Sequence, residues 1–134
     1  YIESYMKKMN INTCGITRKE YDLEYLTEPS LENLLINKNI DEDSVIINCA
    51  GIIPQASKDY KLTDKKFFTI NSIFPILLSK ITDKYNCKMI HITTDCVFSG
   101  KKGNYIETDN HDASDSYGLS KSLGELCNCT IIRT

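Results

Sequence analysis

Tyr117 and Lys121 have the side-chain types and the spacing of an acid–base pair. They are four positions apart, so on a helix they would lie on one face. A free tyrosine has a pKa of about 10, and a nearby ammonium group would lower this pKa towards neutrality. The hydroxyl of Thr94, at the end of an apolar run, could hold a substrate oxygen against Tyr117. An amphipathic helix with an exposed lysine has the same spacing, so the surrounding sequence must decide between the two interpretations.

The sequence around this pair contains an ordered series of short motifs. Residues 93–100 read Thr-Thr-Asp-Cys-Val-Phe-Ser-Gly, residues 107–109 read Glu-Thr-Asp, and residues 117–125 read Tyr-Gly-Leu-Ser-Lys-Ser-Leu-Gly-Glu. This stretch resembles the extended short-chain dehydrogenase/reductases and, within them, the dTDP-4-dehydrorhamnose reductases. Their pattern is Ser-Thr-Asp-Tyr-Val-Phe-x-Gly, then Glu-Thr-Asp, then Tyr-Gly-x-(Ser/Thr)-Lys-x-x-Gly-Glu. Cys96 stands in place of the family tyrosine, and Asp115-Ser116 replace a stretch that often contains proline.

The resemblance implies an NAD(P)-dependent oxidoreductase that reduces the 4-keto group of a nucleotide-linked 6-deoxy sugar. NADPH is the expected cofactor, with NADH as the alternative. Tyr117 would donate a proton to the carbonyl oxygen, and Lys121 would lower the pKa of Tyr117 and bind the nicotinamide ribose. Asn71 would serve a water-linked proton relay to the lysine. The expected substrate contacts are Thr94, Asp95, Cys96 and Val97.

Other residues are expected to bind the cofactor. Asn48-Cys49-Ala50-Gly51 resembles the family's Asn-Ala-Ala/Gly signature, and small residues there would let the backbone approach a dinucleotide. Arg18 occupies the position that faces the adenosine ribose, where an arginine can bind a 2′-phosphate. The alternative for Arg18 is a solvated loop arginine. The resemblance places Asp22 and Leu23 at the adenine ring. Thr93, Tyr117 and Lys121 complete the predicted cofactor-binding set.

Asn71 and Pro75 predict a local distortion in one long helix. In a regular helix the N–H of residue 75 would bond to the carbonyl of residue 71, and proline has no N–H. The carbonyl of Asn71 would therefore be left free for the relay. A kink that only fits the helix to the sheet is the simpler alternative.

The pattern of apolar runs predicts a doubly wound α/β domain with a parallel sheet, of the NAD(P)-binding Rossmann type. Strands are expected at 11–16, 44–50, 89–93 and 130–133, alternating with helices at 1–9, from Pro29, at 63–82 and around Tyr117. We interpret residues 1–134 as a single domain. Because such a sheet opens with a strand and a Gly-rich turn, we expect this sequence to be the central part of the family's domain. It would lack that first strand-turn and the C-terminal substrate part.

Composition narrows the class of protein further. The formal net charge of −2 gives no reason to expect nucleic-acid or anionic-membrane binding. No apolar run approaches the roughly 18 residues of a membrane span. Six cysteines without an export signal favour reduced thiols and the cytoplasm.

No metal site is expected, because Cys127-x-Cys129 lacks a second ligand pair. The expected partner is a nucleotide-sugar substrate, and a homodimer is allowed for. His91 and His111 receive no role.

Two alternative functions remain open at this point. Related sugar-nucleotide dehydratases follow the catalytic threonine with Asp-Glu, whereas Asp95 here precedes Cys96, which disfavours dehydration. An epimerase belongs to the same alternative. The second alternative is a non-catalytic regulatory subunit that binds NADP, since the regulatory subunit of methionine adenosyltransferase resembles the same branch.

Overall fold

A three-stranded parallel sheet forms the centre of the computed structural model, which describes residues 1–54 and 62–134. Strands β1 (Val45–Asn48), β2 (Lys88–Thr93) and β3 (Thr130–Arg133) are neighbours in that order. The register aligns Asn48 with His91 and Thr93 with Arg133, so the carboxyl ends of neighbouring strands meet at one edge. The predicted α/β class with a parallel sheet is confirmed, and ligands of such sheets bind at this edge.

The described residues form five α-helices around the sheet. They are α1 (Ile2–Lys8), α2 (Glu28–Asn37), α3 (Asp64–Phe68), α4 (Phe74–Lys84) and α5 (Ser116–Gly124). The side chains of Thr27, Thr63 and Asp115 each accept a hydrogen bond from a backbone N–H in the first turn of α2, α3 and α5. These bonds satisfy donors that a helix start otherwise leaves unpaired. None of these helices is long and apolar enough to cross a bilayer.

A π-helical turn, Thr69–Ile73, joins α3 to α4. Its signature is the Phe74 N–H, which bonds to the Thr69 carbonyl five residues back. The sequence predicts a kink at Pro75, and the structure places the distortion in the turn before this proline. The Asn71 carbonyl faces Gly124 of α5 so closely that a Cβ at Gly124 would overlap it. The wide turn and the missing side chain therefore let the two helices approach each other.

The main apolar core lies between α2, α4 and the sheet. Its buried members come from these elements and are Leu31, Leu35, Phe74, Leu78, Ile81 and Met89. Burying side chains of this size contributes about 1.5–3 kcal/mol each. The core therefore fixes α4 on β2 and leaves the carboxyl edge of the sheet for polar residues.

The prediction of a strand at residues 11–16 is wrong, because no strand forms there. These residues are irregular, and Ile11 and Ile16 are exposed. A strand needs a neighbour to accept and donate its backbone hydrogen bonds, and among the described residues the sheet ends at β1. The apolar pattern alone was therefore insufficient to fix this element.

Candidate active site

Tyr117 and Thr94 meet at the carboxyl edge of the sheet. Thr94 directly follows β2, and its hydroxyl accepts a hydrogen bond from Cys96 N–H at 3.3 Å. Tyr117 lies in the first turn of α5, half-buried, with its ring edge-on to Phe67 at 6.0 Å. The Thr94 side chain is close enough to the Tyr117 phenol to lower its pKa through hydrogen bonding. The two groups that sequence spacing assigned to one substrate oxygen are therefore neighbours.

The pKa of Tyr117 is raised, which corrects the expectation that Lys121 lowers it. Burial is the largest cause, and the negative charges of Asp95 and Asp115 add to it, while hydrogen bonding by Thr94 acts in the opposite direction. At neutral pH the phenol is protonated. It is therefore arranged as a proton donor.

Lys121 is buried behind Gly51. A Cβ built at Gly51 would lie 2.5 Å from Lys121 Nζ, and the Asn71 side-chain oxygen is the next nearest group. Burial lowers the pKa of Lys121, and the charge of Glu125 opposes this shift. The ammonium is thus directed at the loop after β1, which is the physical reason it does not depress the Tyr117 pKa.

The Asn71 side chain connects α5 to the loop that follows β1 through hydrogen bonds. Its Oδ1 accepts from Ile52 N–H at 2.9 Å, and its Nδ2 donates to the Ile52 carbonyl at 3.0 Å and to Ser120 Oγ at 3.1 Å. The side chain is 1% exposed. The structure therefore gives the Asn71 amide a structural task, while the predicted relay through the residue stays a prediction.

Asn48 lies under the site rather than at its surface. Its Oδ1 accepts from Ala50 N–H at 3.0 Å, so its Nδ2 donates to His91 Nδ1, also at 3.0 Å. His91 therefore carries its proton on Nε2, which is buried without a hydrogen-bond partner among the described atoms. Burial is the main cause that lowers the pKa of His91. Asn48 shapes the loop whose exposed members are Cys49 and Gly51, and its own amide is fully engaged.

Arg18 belongs to a second group, made of ion pairs. Its Nε lies 3.2 Å from an Asp22 carboxylate oxygen, and its terminal nitrogen lies 3.1 Å from Glu24. Lys66 binds the same Glu24 oxygen at 2.9 Å. Asp22 also caps the 3₁₀ turn Leu23–Tyr25 through the Glu24 N–H. Leu23 is partly buried and packs against the core, and its contact with an adenine ring stays a prediction.

A cavity of about 480 Å³ lies beside Thr94, at the turn after β2. Asp95 and Cys96 line it and are exposed, and their contact with a substrate stays a prediction. Val97 departs from that expectation, because it is fully buried. Its carbonyl accepts the N–H groups of Asp112 at 3.3 Å and Ala113 at 3.1 Å. Val97 therefore closes the base of loop 98–111 and does not face the cavity.

Arg133 forms part of the cavity wall and was missed by the sequence reasoning. Its guanidinium binds the nearly buried Glu125 through three contacts, the shortest 2.6 Å, and its NH2 nitrogen lies 3.0 Å from His111 Nε2. Glu125 is the main cause that raises the pKa of Arg133. His111 packs edge-on against Phe98 at 5.4 Å. The glutamate of the motif at 117–125 was the available signal, because an acidic residue buried at a helix end needs a cation.

Among the described residues, no group of three or more His, Cys, Asp or Glu side chains is placed to hold a metal ion. The polar site at the carboxyl edge therefore consists of a phenol, a hydroxyl, an ammonium and a small-residue loop. These groups suit proton transfer to an oxygen of a bound molecule.

Comparisons with known proteins agree with this architecture. The model of the family described as "RmlD substrate binding domain" matches residues 2–134. No curated protein matches the chain. A solved dTDP-4-dehydrorhamnose reductase from Bacillus anthracis in complex with NADP is 23% identical with a TM-score of 0.78, over 98% of this chain and 47% of that one.

Two further solved structures are similar over much of the chain. A hypothetical dTDP-4-dehydrorhamnose reductase from Sulfolobus tokodaii is 34% identical with a TM-score of 0.65, over 87% of this chain and 40% of that one. A dTDP-4-dehydrorhamnose reductase from Clostridium acetobutylicum is 22% identical with a TM-score of 0.73, over 93% and 42%. The chain thus spans less than half the length of each of these three proteins.

Proposed function

The chain belongs to the RmlD substrate binding domain family, and from this premise we propose that it carries the proton-donating site of an NAD(P)-dependent sugar-nucleotide reductase. The proposed reaction reduces the 4-keto group of a nucleotide-linked 6-deoxy sugar, with NADPH preferred over NADH. The complex with NADP of the similar Bacillus anthracis protein supports the choice of cofactor. The observation that carries the proposal is the proximity of Thr94 and Tyr117 at the carboxyl edge of the sheet, with the buried Lys121 on the same helix as Tyr117.

In the proposed reaction a bound reduced nicotinamide supplies the hydride. Tyr117, protonated because burial raises its pKa, donates its phenolic proton to the carbonyl oxygen of the substrate. Thr94 donates a hydrogen bond to the same oxygen and so fixes the carbonyl next to the phenol. Lys121 supplies positive charge behind the loop at Gly51, on the side where we propose that the nicotinamide ribose binds. A general acid that is held in position, as proposed for Tyr117, typically accelerates a reaction 10²–10⁴-fold.

The loop after β1 fits a cofactor on the evidence of its own geometry. Gly51 and Cys49 are exposed at the carboxyl edge, where ligands of open α/β sheets bind. The space that a Cβ would fill at Gly51 is taken by the Lys121 ammonium. We propose that this loop and Lys121 contact the nicotinamide ribose, and that Arg18 and Asp22 contact the adenosine end.

Tyr117→Phe tests the proposed function in the protein that carries this chain. It removes the transferable proton and should reduce NADPH-dependent turnover of a dTDP-4-keto-6-deoxy sugar by about 10²-fold or more, with NADPH binding nearly unchanged. Tyr25→Phe is the matched control, because Tyr25 is 80% exposed. Turnover of Tyr117→Phe near that of the control would contradict the assignment. NADPH binding by the wild type without turnover of any keto-sugar nucleotide would favour the regulatory alternative.

A homodimer and a cytoplasmic location belong to the same proposal. Ile73, Leu119, Leu123 and Leu126 expose apolar surface around α5. Leu119 and Leu123 are one helical turn apart, and a two-fold dimer uses the same surface on both copies. All six cysteines are free thiols, as is typical of a reducing compartment.

A further inference from the structure

Cys127 and Cys129 form a close pair of thiols away from the candidate active site. They lie in the connection between α5 and β3, and their Sγ atoms are 3.1 Å apart. Both side chains are half-buried. The connection leads into the amino end of β3, whereas Thr94 and Tyr117 lie at the carboxyl edge of the sheet. The thiol pair is therefore separate from the site described above.

The local backbone holds the two thiols together. Cys129 N–H bonds to the Cys127 carbonyl at 3.1 Å, which is the hydrogen bond of a γ-turn. The middle residue, Asn128, is fixed on α4, because its N–H donates to Ser79 Oγ at 2.9 Å and its carbonyl accepts from the same hydroxyl at 3.3 Å. Asn128 also donates to Asp83 through its side chain at 3.3 Å. The short turn and these anchors keep both sulfur atoms close without any covalent link.

We propose that Cys127 and Cys129 are a redox-active dithiol that a low-molecular-weight disulfide, such as glutathione disulfide, converts into an intrachain disulfide. The neighbouring sulfur atoms, already within the same turn, are the feature that selects this pair among the six cysteines.

The reaction proceeds in two thiol–disulfide exchanges. In the first, the Cys129 thiolate attacks one sulfur of glutathione disulfide, the S–S bond of the oxidant breaks, and one glutathione thiolate leaves and takes up a proton. In the second, the Cys127 thiolate attacks the Cys129 sulfur of the mixed disulfide, and the second glutathione leaves. The protein loses two protons and two electrons, and the oxidant becomes two molecules of glutathione.

The order of attack follows from the surroundings of the two thiols. Burial, followed by the hydrogen bond and charge of Cys129, raises the pKa of Cys127 to about 12. Cys127 is therefore a poor first nucleophile and acts in the closing step, where its partner is held beside it. Cys129 lines a groove of about 440 Å³ at the amino ends of the strands, where a small disulfide can enter.

The test equilibrates the reduced protein with glutathione buffers of rising oxidised fraction. Acid quenching, alkylation of free thiols and peptide mapping then report the state of each cysteine. We expect Cys127 and Cys129 to be oxidised together, in one peptide that has lost two hydrogens and carries no glutathione. Cys87 lines the same groove as Cys129 and serves as the internal reference, because its buried thiol has no neighbouring sulfur among the described contacts, donates to the Asp41 carbonyl at 3.1 Å and should stay reduced.

A control variant distinguishes formation of the intrachain disulfide from simple glutathionylation of an accessible thiol. In Cys127→Ser, the Cys129 thiol should accumulate as a mixed disulfide with glutathione, at least about 10-fold above its level in the wild type. The proposal is overturned if the wild-type pair stays reduced in excess glutathione disulfide, or if each thiol is glutathionylated without ring closure. Both readouts are masses and do not depend on the reductase activity.

Discussion

The ammonium of Lys121 occupies the space that a side chain at position 51 would need. Gly51 does not have a left-handed backbone conformation, so conformation does not require a glycine here. The requirement is steric, because a side chain would meet Lys121. Sequence spacing placed Lys121 on the helix face of Tyr117 and assigned its charge to that phenol, whereas its ammonium lies against Gly51. The direction of a lysine side chain depends on the packing of a loop more than 60 positions earlier, which spacing along one helix does not contain.

Gly51→Ala should reduce turnover by about 10-fold and leave the unfolding free energy within about 0.5 kcal/mol of the wild type. The added methyl group meets the flexible end of Lys121, 2.5 Å away, and displaces it, while the Asn71 side-chain oxygen lies 3.3 Å away. Steady-state kinetics and a denaturant titration check both parts. A double-mutant cycle with Lys121→Ala isolates the mechanism, because Gly51→Ala should then have no additional effect. A full additional loss in that background would mean that Gly51 acts on something other than Lys121.

His91 gives the protein a pH-dependent stability. Its folded-state pKa is lowered, mainly by burial, whereas the unfolded chain protonates a histidine near pH 6.5. Below that pH the unfolded state binds more protons, so the free energy of unfolding falls as the pH falls.

His91→Gln should flatten this fall between pH 6.5 and 5, by up to about 1.4 kcal/mol per pH unit. Glutamine is chosen because its side-chain oxygen can still accept from Asn48. Urea titrations of both proteins at several pH values provide the measurement. Equal slopes for the variant and the wild type would show that His91 is protonated alike in the folded and unfolded states.

At the scale of elements, the start of the helix expected at residue 63 followed from the sequence and the π turn did not. Thr63 caps α3, which begins at the next residue. Pro75 indicated a distortion, but its form depends on how α4 and α5 meet. The strand expected at residues 11–16 failed for a related reason, since a strand exists only where a paired neighbour supplies its hydrogen bonds.

Gly124→Ala should destabilise the fold by about 3 kcal/mol, at the upper end of overpacking costs. The new methyl group would overlap the Asn71 carbonyl and touch Pro75, and backbone atoms cannot move aside as a lysine can. Gly103→Ala is the control, because Gly103 has φ +67° and open space around it. It should cost only the roughly 1–2 kcal/mol of left-handed strain. Equal melting temperatures for the two variants would contradict the close contact between these helices.

At the scale of the molecule, the predicted residues form two groups with different chemistry. Thr94, Tyr117 and Lys121 surround one edge of the sheet, while Arg18 and Asp22 lie in a cluster of ion pairs with Glu24. The parallel sheet and its helices followed from apolar periodicity. The cavity wall at Arg133 did not follow from the sequence. Its partners, His111 and Glu125, lie at distances along the chain that match no known motif.

Arg18→Ala should weaken NADPH binding by about 10-fold or more and NADH binding much less, since a charge-assisted bond to phosphate is worth about 1.5–3 kcal/mol. Asp22 and Glu24 already bind this guanidinium, so a 2′-phosphate must compete with them. Calorimetric titration of each cofactor measures the difference. Lys19→Ala, which removes the adjacent exposed cation, is the control. Equal losses of both cofactors in Arg18→Ala would exclude a role in reading the 2′-phosphate.

The two hydrogen bonds to the Val97 carbonyl fix both ends of the loop beside the cavity, so the sequence of this loop can change without moving its ends. Both ends of residues 98–111 are tied to one buried residue, so their separation does not depend on what lies between them. The entropic cost of a longer loop grows only slowly with its length. Insertions or exchanges within this segment can therefore diversify the molecules admitted to the cavity, while Tyr117 and Lys121 keep their positions on α5. Selectivity can evolve here independently of the residues that we propose for proton transfer.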